Sequence, residues 1–140
     1  MLTGEFRHSL DAKNRIFMPA KLREELGETF IIARDIREKC LKVYSMEGWA
    51  AYTAPIKEKP RQLAEQIMRL LHRSAAQVTP DSQGRVLLPP MLVEYAGIEK
   101  NAVVVGCEEY AEIWSEANYQ TMLDNVDDEA LRQALESWGL

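Results

Sequence analysis

Cysteine and histidine are scarce in this chain. Cys40 and Cys107 are too few for a disulfide framework, and with only His8 and His72 beside them no common zinc-ligand spacing exists. No apolar run approaches the roughly 18 residues that a membrane-crossing helix needs. The opening stretch, MLTGEFRHSLDAKNR, brings charge early and has no apolar core, so no secretory leader is expected. No G-x-G-x-x-G, phosphate-cradling loop or G-x-S-x-G elbow occurs. With no metal set, no phosphate loop and no nucleophile–base pair, the expectation is a cytoplasmic chain that is not an enzyme and carries no cofactor. What is present is ordinary globular material: 140 residues, 46% hydrophobic and 28% charged. That length suffices for one domain or two very small ones.

The net charge of −5 conceals an asymmetry. Residues 1–45 hold nine Lys/Arg against seven Asp/Glu, and residues 57–85 hold six against three. Residues 86–140 hold two against eleven. An acidic tail on a slightly basic body leaves room for an anionic partner on one face.

The chain repeats itself. Asp11-Ala12-Lys13-Asn14-Arg15, then three apolar residues and Pro19, recurs as Asp81-Ser82-Gln83-Gly84-Arg85, three apolar residues and Pro89, an offset of 70. The same offset links Leu22 with Leu92, Gly27 with Gly97, Val43-Tyr44-Ser45 with Ile113-Trp114-Ser115, and Trp49 with Tyr119. Between these matches the register slips by three, with Phe30-Ile31-Ile32 fitting Val103-Val104-Val105.

Each half therefore predicts the same order. A turn leads into a short apolar strand (residues 16–18; 86–88). A helix opens at Pro19 or Pro89 and ends at Gly27 or Gly97, where glycine suits a left-handed residue. Two strands follow (30–33 and 41–44; 102–105 and 111–114). Ser45 and Ser115 then suit helix N-caps. Leu63, Ile67, Leu70 and Leu71 mark an amphipathic helix from Pro60 to His72, and residues 127–138 a final acidic helix. The boundaries are a first repeat over 1–53, a connecting helix over 54–75, a second repeat over 76–122 and an acidic C-terminal helix over 123–140. The fold class is α+β, mainly β. The two pseudo-symmetric halves are too small to stand alone, so the economical arrangement intertwines them in one small β-barrel with flanking helices.

Asn14 and Gly84 hold equivalent places, and these residue types best tolerate positive φ. The aspartate three residues earlier can accept backbone N–H bonds within the turn. The arginine that follows is presented at the start of a strand, where its planar fork of donors suits phosphate oxygens or a guanine edge. Asp and Arg in one turn can equally bond each other and serve the fold alone. Lys13, Arg7, Lys21 and Arg23 lie near the first turn in sequence. The second has Gln83, Met91 and Val93 instead, so the first turn should dominate contacts with a polyanion.

Other clusters read as structural. Glu108, Glu109 and Glu112 near Cys107 suit a solvated strand and turn, and nothing nearby would lower the thiol pKa. His72 and Arg73 complement a helix C-terminus, Arg69 and Arg73 a solvated basic face, and Trp49, Trp114 and Trp138 packing or subunit contacts.

The doubled D-x-x-x-R turn, its 70-residue spacing, the chain length and the paired Val43-Tyr44-Ser45 and Ile113-Trp114-Ser115 resemble the bacterial MraZ family, in the AbrB/SpoVT/MazE group of swapped-hairpin DNA-binding proteins. The resemblance covers essentially the whole chain. It implies a sequence-specific transcriptional regulator bound to repeated promoter sites of the division and cell-wall gene cluster, its own gene included. It implies a nucleoid-associated homo-oligomeric ring, double-stranded DNA as partner, and no membrane or small-molecule ligand. Its DNA contacts fall on Asp11, Arg15, Asp81 and Arg85, with Lys13, Arg7, Asn14 and Gly84 around them. The family usually carries glycine within the first turn, where this chain has Asn14. A ring would multiply weak contacts along one DNA. The alternative is a protein-partner module of the same fold, antitoxin-like or a scaffold, with residues 127–138 as its interaction helix.

Overall fold

The computed structural model describes all 140 residues. The first half contains β1 (Glu5–Ser9), β2 (Arg15–Phe17), α1 (Ala20–Leu26), β3 (Phe30–Arg34), β4 (Leu41–Ser45), α2 (Met46–Lys57) and α3 (Arg61–Ser74). The second repeats the order as β5 (Ala76–Val78), β6 (Arg85–Leu87), α4 (Pro90–Ala96), β7 (Asn101–Gly106), β8 (Ala111–Ser115), α5 (Glu116–Asp124) and α6 (Asp128–Ser137). Pro19 and Pro89 stand at the N-caps of α1 and α4, where a missing N–H costs nothing. Gly97 ends α4 in the left-handed region. Gly27 has positive φ too, but its ψ of −178° is extended, so only one of the two expected left-handed caps forms.

The halves are intertwined by strand exchange. β1 pairs with β7 of the other half, and β5 pairs reciprocally with β3. β4 and β8 meet at the centre of an all-antiparallel six-stranded sheet, ordered β1-β7-β8-β4-β3-β5. The pseudo-two-fold runs through the Lys42–Glu112 pair of this sheet and through Ile16–Val86 of a separate two-stranded ribbon, β2–β6. The six-stranded sheet ends at β1 and β5 and does not close. β2 and β6 are three residues long and pair only with each other, and the outward carbonyls of Arg15 and Arg85 are taken by the N–H groups of Asp11 and Asp81. Neither ribbon strand is left to join the sheet edges in a hydrogen-bonded barrel.

Strand pairing also corrects the repeat register. Ile31 faces Tyr44 as Val103 faces Trp114, and Phe30 faces Ser45 as Ala102 faces Ser115. With Tyr44 and Trp114 equivalent, Ile31 matches Val103, so the slip is two residues rather than three. Apolar runs of β-branched residues slide over one another without a sequence penalty, and only pairing fixes them.

Twenty buried residues form one core drawn from both halves, including Ile16 and Val86 from the ribbon, Leu22 and Leu92 from α1 and α4, and Ile32, Val43, Val104 and Ile113 from the sheet. Burying each such side chain stabilises by about 1.5–3 kcal/mol, and neither half could exclude water from its share alone. α3 covers the outer face of β3 and α2, where Ile31, Ala33, Tyr44, Trp49 and Leu71 form a second cluster. Trp49 donates to His72 Nε2 at 3.2 Å, so His72 serves the α2–α3 contact as well as the helix end. Trp114 is buried in a third cluster with Cys40, Val103 and Tyr119, whereas Trp138 is 70% exposed.

Candidate nucleic-acid interface

The two repeated turns fold the same way. Asp11 Oδ1 accepts the N–H groups of Lys13 and Arg15, both at 2.9 Å. Asp81 Oδ1 accepts those of Gln83 and Arg85, also at 2.9 Å. Each carbonyl of the aspartates accepts the N–H of the tight residue, Asn14 or Gly84. Those residues have φ of +59° and +80°. The second aspartate oxygen then receives the arginine Nε, at 2.7 Å for Arg15 and 3.0 Å for Arg85. In both turns the arginine backbone N–H does most to hold the carboxyl below the usual aspartate range, with the guanidinium adding to it. The carboxylates are thereby committed within the turn. Asp11 and Asp81 aim the arginines, and the hydrogen bonds leave the terminal nitrogens of Arg15 without a partner in the chain.

Strand periodicity decides where the arginines point. On the ribbon Arg15 lies opposite Leu87, and Phe17 opposite Arg85. Residues paired across an antiparallel ladder, and residues two apart along it, share a face. Ile16 and Val86 therefore face the core, and Arg15, Phe17, Arg85 and Leu87 face outward together. The two guanidinium groups are close enough to share a counter-ion: Arg85 Nη1 reaches Asp11 Oδ2 at 3.7 Å, the oxygen that Arg15 Nε also bonds. The turns interlock through their backbones as well. Asn14 C=O accepts the N–H of Leu88, and Gly84 C=O accepts that of Met18, at 2.9 and 2.8 Å.

Pairing of β2 with β6 redistributes the cations that the sequence placed around the first turn. Arg23 stands against the second turn: a Cβ on Gly84 would lie 3.1 Å from its guanidinium carbon and 3.0 Å from Phe17. Arg23 Nε donates to Met18 C=O at 2.8 Å, and its guanidinium lies 5.8 Å from the Phe17 ring centre. The equivalent residue of the other half is Val93, which packs on the core. The first turn thus carries Lys13, and the second has Gln83 with a borrowed Arg23. The difference in positive charge expected between the two turns is thereby narrowed.

Arg7 is not brought to the turns. Phe6 packs against the core and His8 against the Phe17 ring, so alternation along β1 sends Arg7 to the opposite face. There it meets Glu5 at 3.4 Å, Glu116 at 3.8 Å and the Tyr119 ring. Sequence reasoning missed the outward pair Phe17 and Leu87, the latter 57% exposed. Period-two alternation within each short strand was the available signal.

One group of side chains could approach a metal ion, Asp35, Glu38 and Cys40. Asp35 is already engaged by the Glu38 N–H at 2.9 Å and by the Lys42 ammonium at 3.7 Å. Burial pushes the Cys40 thiol pKa strongly upward, against the thiolate a metal needs. Glu108, Glu109 and Glu112 lie at the β7–β8 turn and strand, and burial pushes the nearby Cys107 thiol up to about 11. No helix is long and apolar enough to cross a membrane.

The protein is thus a chain of two interlocked repeats that displays a pair of aspartate-aimed arginines on one short ribbon. The family model described as "MraZ protein, putative antitoxin-like" matches twice, over residues 1–73 and 71–137. The chain is 38% identical to the transcriptional regulator MraZ of Caldicellulosiruptor bescii and 36% identical to that of Clostridium tetani, in each case across the full length of both chains. It is 44% identical to that of Carboxydothermus hydrogenoformans over 118 residues, covering 83% of this chain and 82% of the relative. The chain belongs to the MraZ family.

Proposed function

We propose that this protein is a DNA-binding transcriptional regulator that reads duplex DNA with the outward face of the β2–β6 ribbon. The observation that carries this reading is the geometry of Arg15 and Arg85. Each is fixed through Nε by its own aspartate, and both share one face opposite the core. A two-stranded ribbon fits the major groove, and an arginine fork matches a guanine edge or a phosphate. Fixing Nε in advance removes rotamer entropy that binding would otherwise cost. Lys13 at the turn tip and Arg23 beside Phe17 add positive charge. Exposed Leu87 offers an apolar contact of the kind that suits a thymine methyl.

Resemblance to the MraZ family extends the proposal to the DNA sites and the assembly. The targets are repeated sites upstream of the division and cell-wall gene cluster, including the protein's own gene, and several copies in a ring engage them at once. A single chain presents few cations, and linked weak contacts multiply when their spacing matches the DNA repeats. The relatives' names are those of transcriptional regulators. Salt dependence tests the ribbon assignment. Arg15→Ala and Arg85→Ala should each weaken binding. An arginine that contacts phosphate should lower the slope of log affinity against log salt by about 0.9 per contact, whereas a base-reading arginine should mainly relax sequence preference. Unchanged affinity, slope and preference in both variants would remove the ribbon from the interface.

A further inference from the structure

The C-terminal helix α6 is unpartnered. None of its residues is buried. Leu131, Leu135 and Trp138 nevertheless line one side and are 55%, 47% and 70% exposed. A ten-residue helix standing free in water is marginal, and its stability ordinarily comes from covering an apolar face. A second incomplete face lies on α3. Leu63 and Leu70, seven residues and nearly two turns apart, are exposed beside the buried stripe of Ala64 and Leu71. Charge distinguishes the two surfaces. Residues 57–73 hold five Lys/Arg against two Asp/Glu, and residues 124–137 hold one against five. Arg69 and Arg73 have no ion-pair partner within the chain, whereas Arg61 is taken by Glu65.

We infer that α6 of one copy docks on the α3 face of a second copy, its Leu131–Leu135–Trp138 stripe on Leu63 and Leu70 and its carboxylates against Arg69 and Arg73. The two surfaces are different patches of the same chain, so the contact is head-to-tail. Such contacts propagate from copy to copy and end only when a ring closes or a filament forms. The inference deepens the oligomer part of the proposed function and assigns that assembly an interface. It leaves the arginine ribbon free, since neither helix contributes to it.

Charge exchange tests it with the full-length protein. One variant carries Arg69→Glu and Arg73→Glu, so both of its surfaces are acidic. A second carries Asp128→Lys and Glu136→Lys, so both are basic or neutralised. All four positions are exposed, and circular dichroism checks that each variant is folded. In sedimentation velocity the wild type should form a multi-copy species. Each variant alone should fall to smaller species, and an equimolar mixture should regain the wild-type mass, because each copy then meets an opposite charge on both neighbours. A single chain with all four changes should assemble again. The inference is overturned by a monomeric wild type, by variants that keep the wild-type mass, or by a mixture and a four-fold variant that both stay dissociated. DNA binding by the dissociated variants, measured beside Arg15→Ala on a duplex with a single site where linked copies add nothing, separates a failed interface from a failed ribbon: loss confined to Arg15→Ala keeps the ribbon, whatever the masses show.

Discussion

Substituting the tight residue of each turn should give unequal results, although the two positions are related by the pseudo-two-fold. Gly84 has φ of +80°, and a Cβ there would lie 3.0 Å from Phe17 Cε1 and 3.1 Å from the Arg23 guanidinium. A non-glycine residue held at positive φ costs about 1–3 kcal/mol, and pushing Phe17 aside adds an overpacking cost of order 1 kcal/mol. Gly84→Ala should therefore destabilise by about 2–4 kcal/mol. Asn14 occupies the same backbone region at φ of +59°, and asparagine tolerates it comparatively well. Asn14→Gly exchanges a little strain for unfolded-chain entropy and should stay within about 1 kcal/mol of wild type. At about 3 °C per kcal/mol for a chain of this size, calorimetry should show Tm lowered by about 6–12 °C for the first and nearly unchanged for the second. Gly84→Ala should also weaken DNA binding, since Gly84 C=O accepts the Met18 N–H that closes the ribbon. Equal, small effects at both positions would refute the argument that Phe17 and Arg23 crowd only the second turn.

Other expectations follow from the same geometry. The Asp11 and Asp81 carboxyls are depressed in the folded chain, so the stability they contribute is complete above the ordinary aspartate value near 3.8 and is lost as pH falls through the lower folded values. NMR titration of their carboxyl carbons should show midpoints below that value, and a midpoint at or above it would contradict the turn geometry. Ser45 Oγ accepts the Gly48 N–H at 2.9 Å and Ser115 Oγ accepts the Asn118 N–H at 3.0 Å. Ser45→Ala and Ser115→Ala should each cost about 1 kcal/mol in denaturant unfolding, and neither should alter sequence preference for DNA. A Cβ on Gly106 would overlap the backbone of Leu2 and Thr3. Gly106→Ala should free the N-terminal residues, visible as faster amide exchange at Leu2 and Glu108, whose backbones bond each other. Retained protection there would show that the close approach is not needed.

Much of the architecture was legible because the chain states it twice. The recurring Asp, tight residue and Arg located both turns, and proline–glycine punctuation bracketed α1 and α4 to within a residue. β1 and β5 were not delimited. β1 carries a single apolar residue, Phe6, and β5 is three residues long, so neither offers enough periodicity to register. Which half each strand joins depends on long-range pairing that no local pattern encodes. Arg23 shows this: nearness in sequence sets it beside the first turn, while the β2–β6 pairing carries it to the second. Arg7 was misjudged through strand parity. Of the predicted site, the structure brings together Arg15, Arg85, Asp11, Asp81, Asn14, Gly84 and Lys13, and turns Arg7 toward Glu5 and Glu116.

The DNA-reading role proposed for the two aspartate-aimed arginines can be tested directly. The most direct measurement is a fluorescence-anisotropy competition between the duplex upstream of this protein's own gene and a scrambled duplex, at near-physiological salt. Wild type would run beside the Arg15→Ala/Arg85→Ala double variant, with circular dichroism confirming that both are folded. If the arginines read DNA, wild type prefers its own upstream DNA and the folded double variant loses the preference. A wild type with no preference, or a double variant that keeps it, would show that they do not.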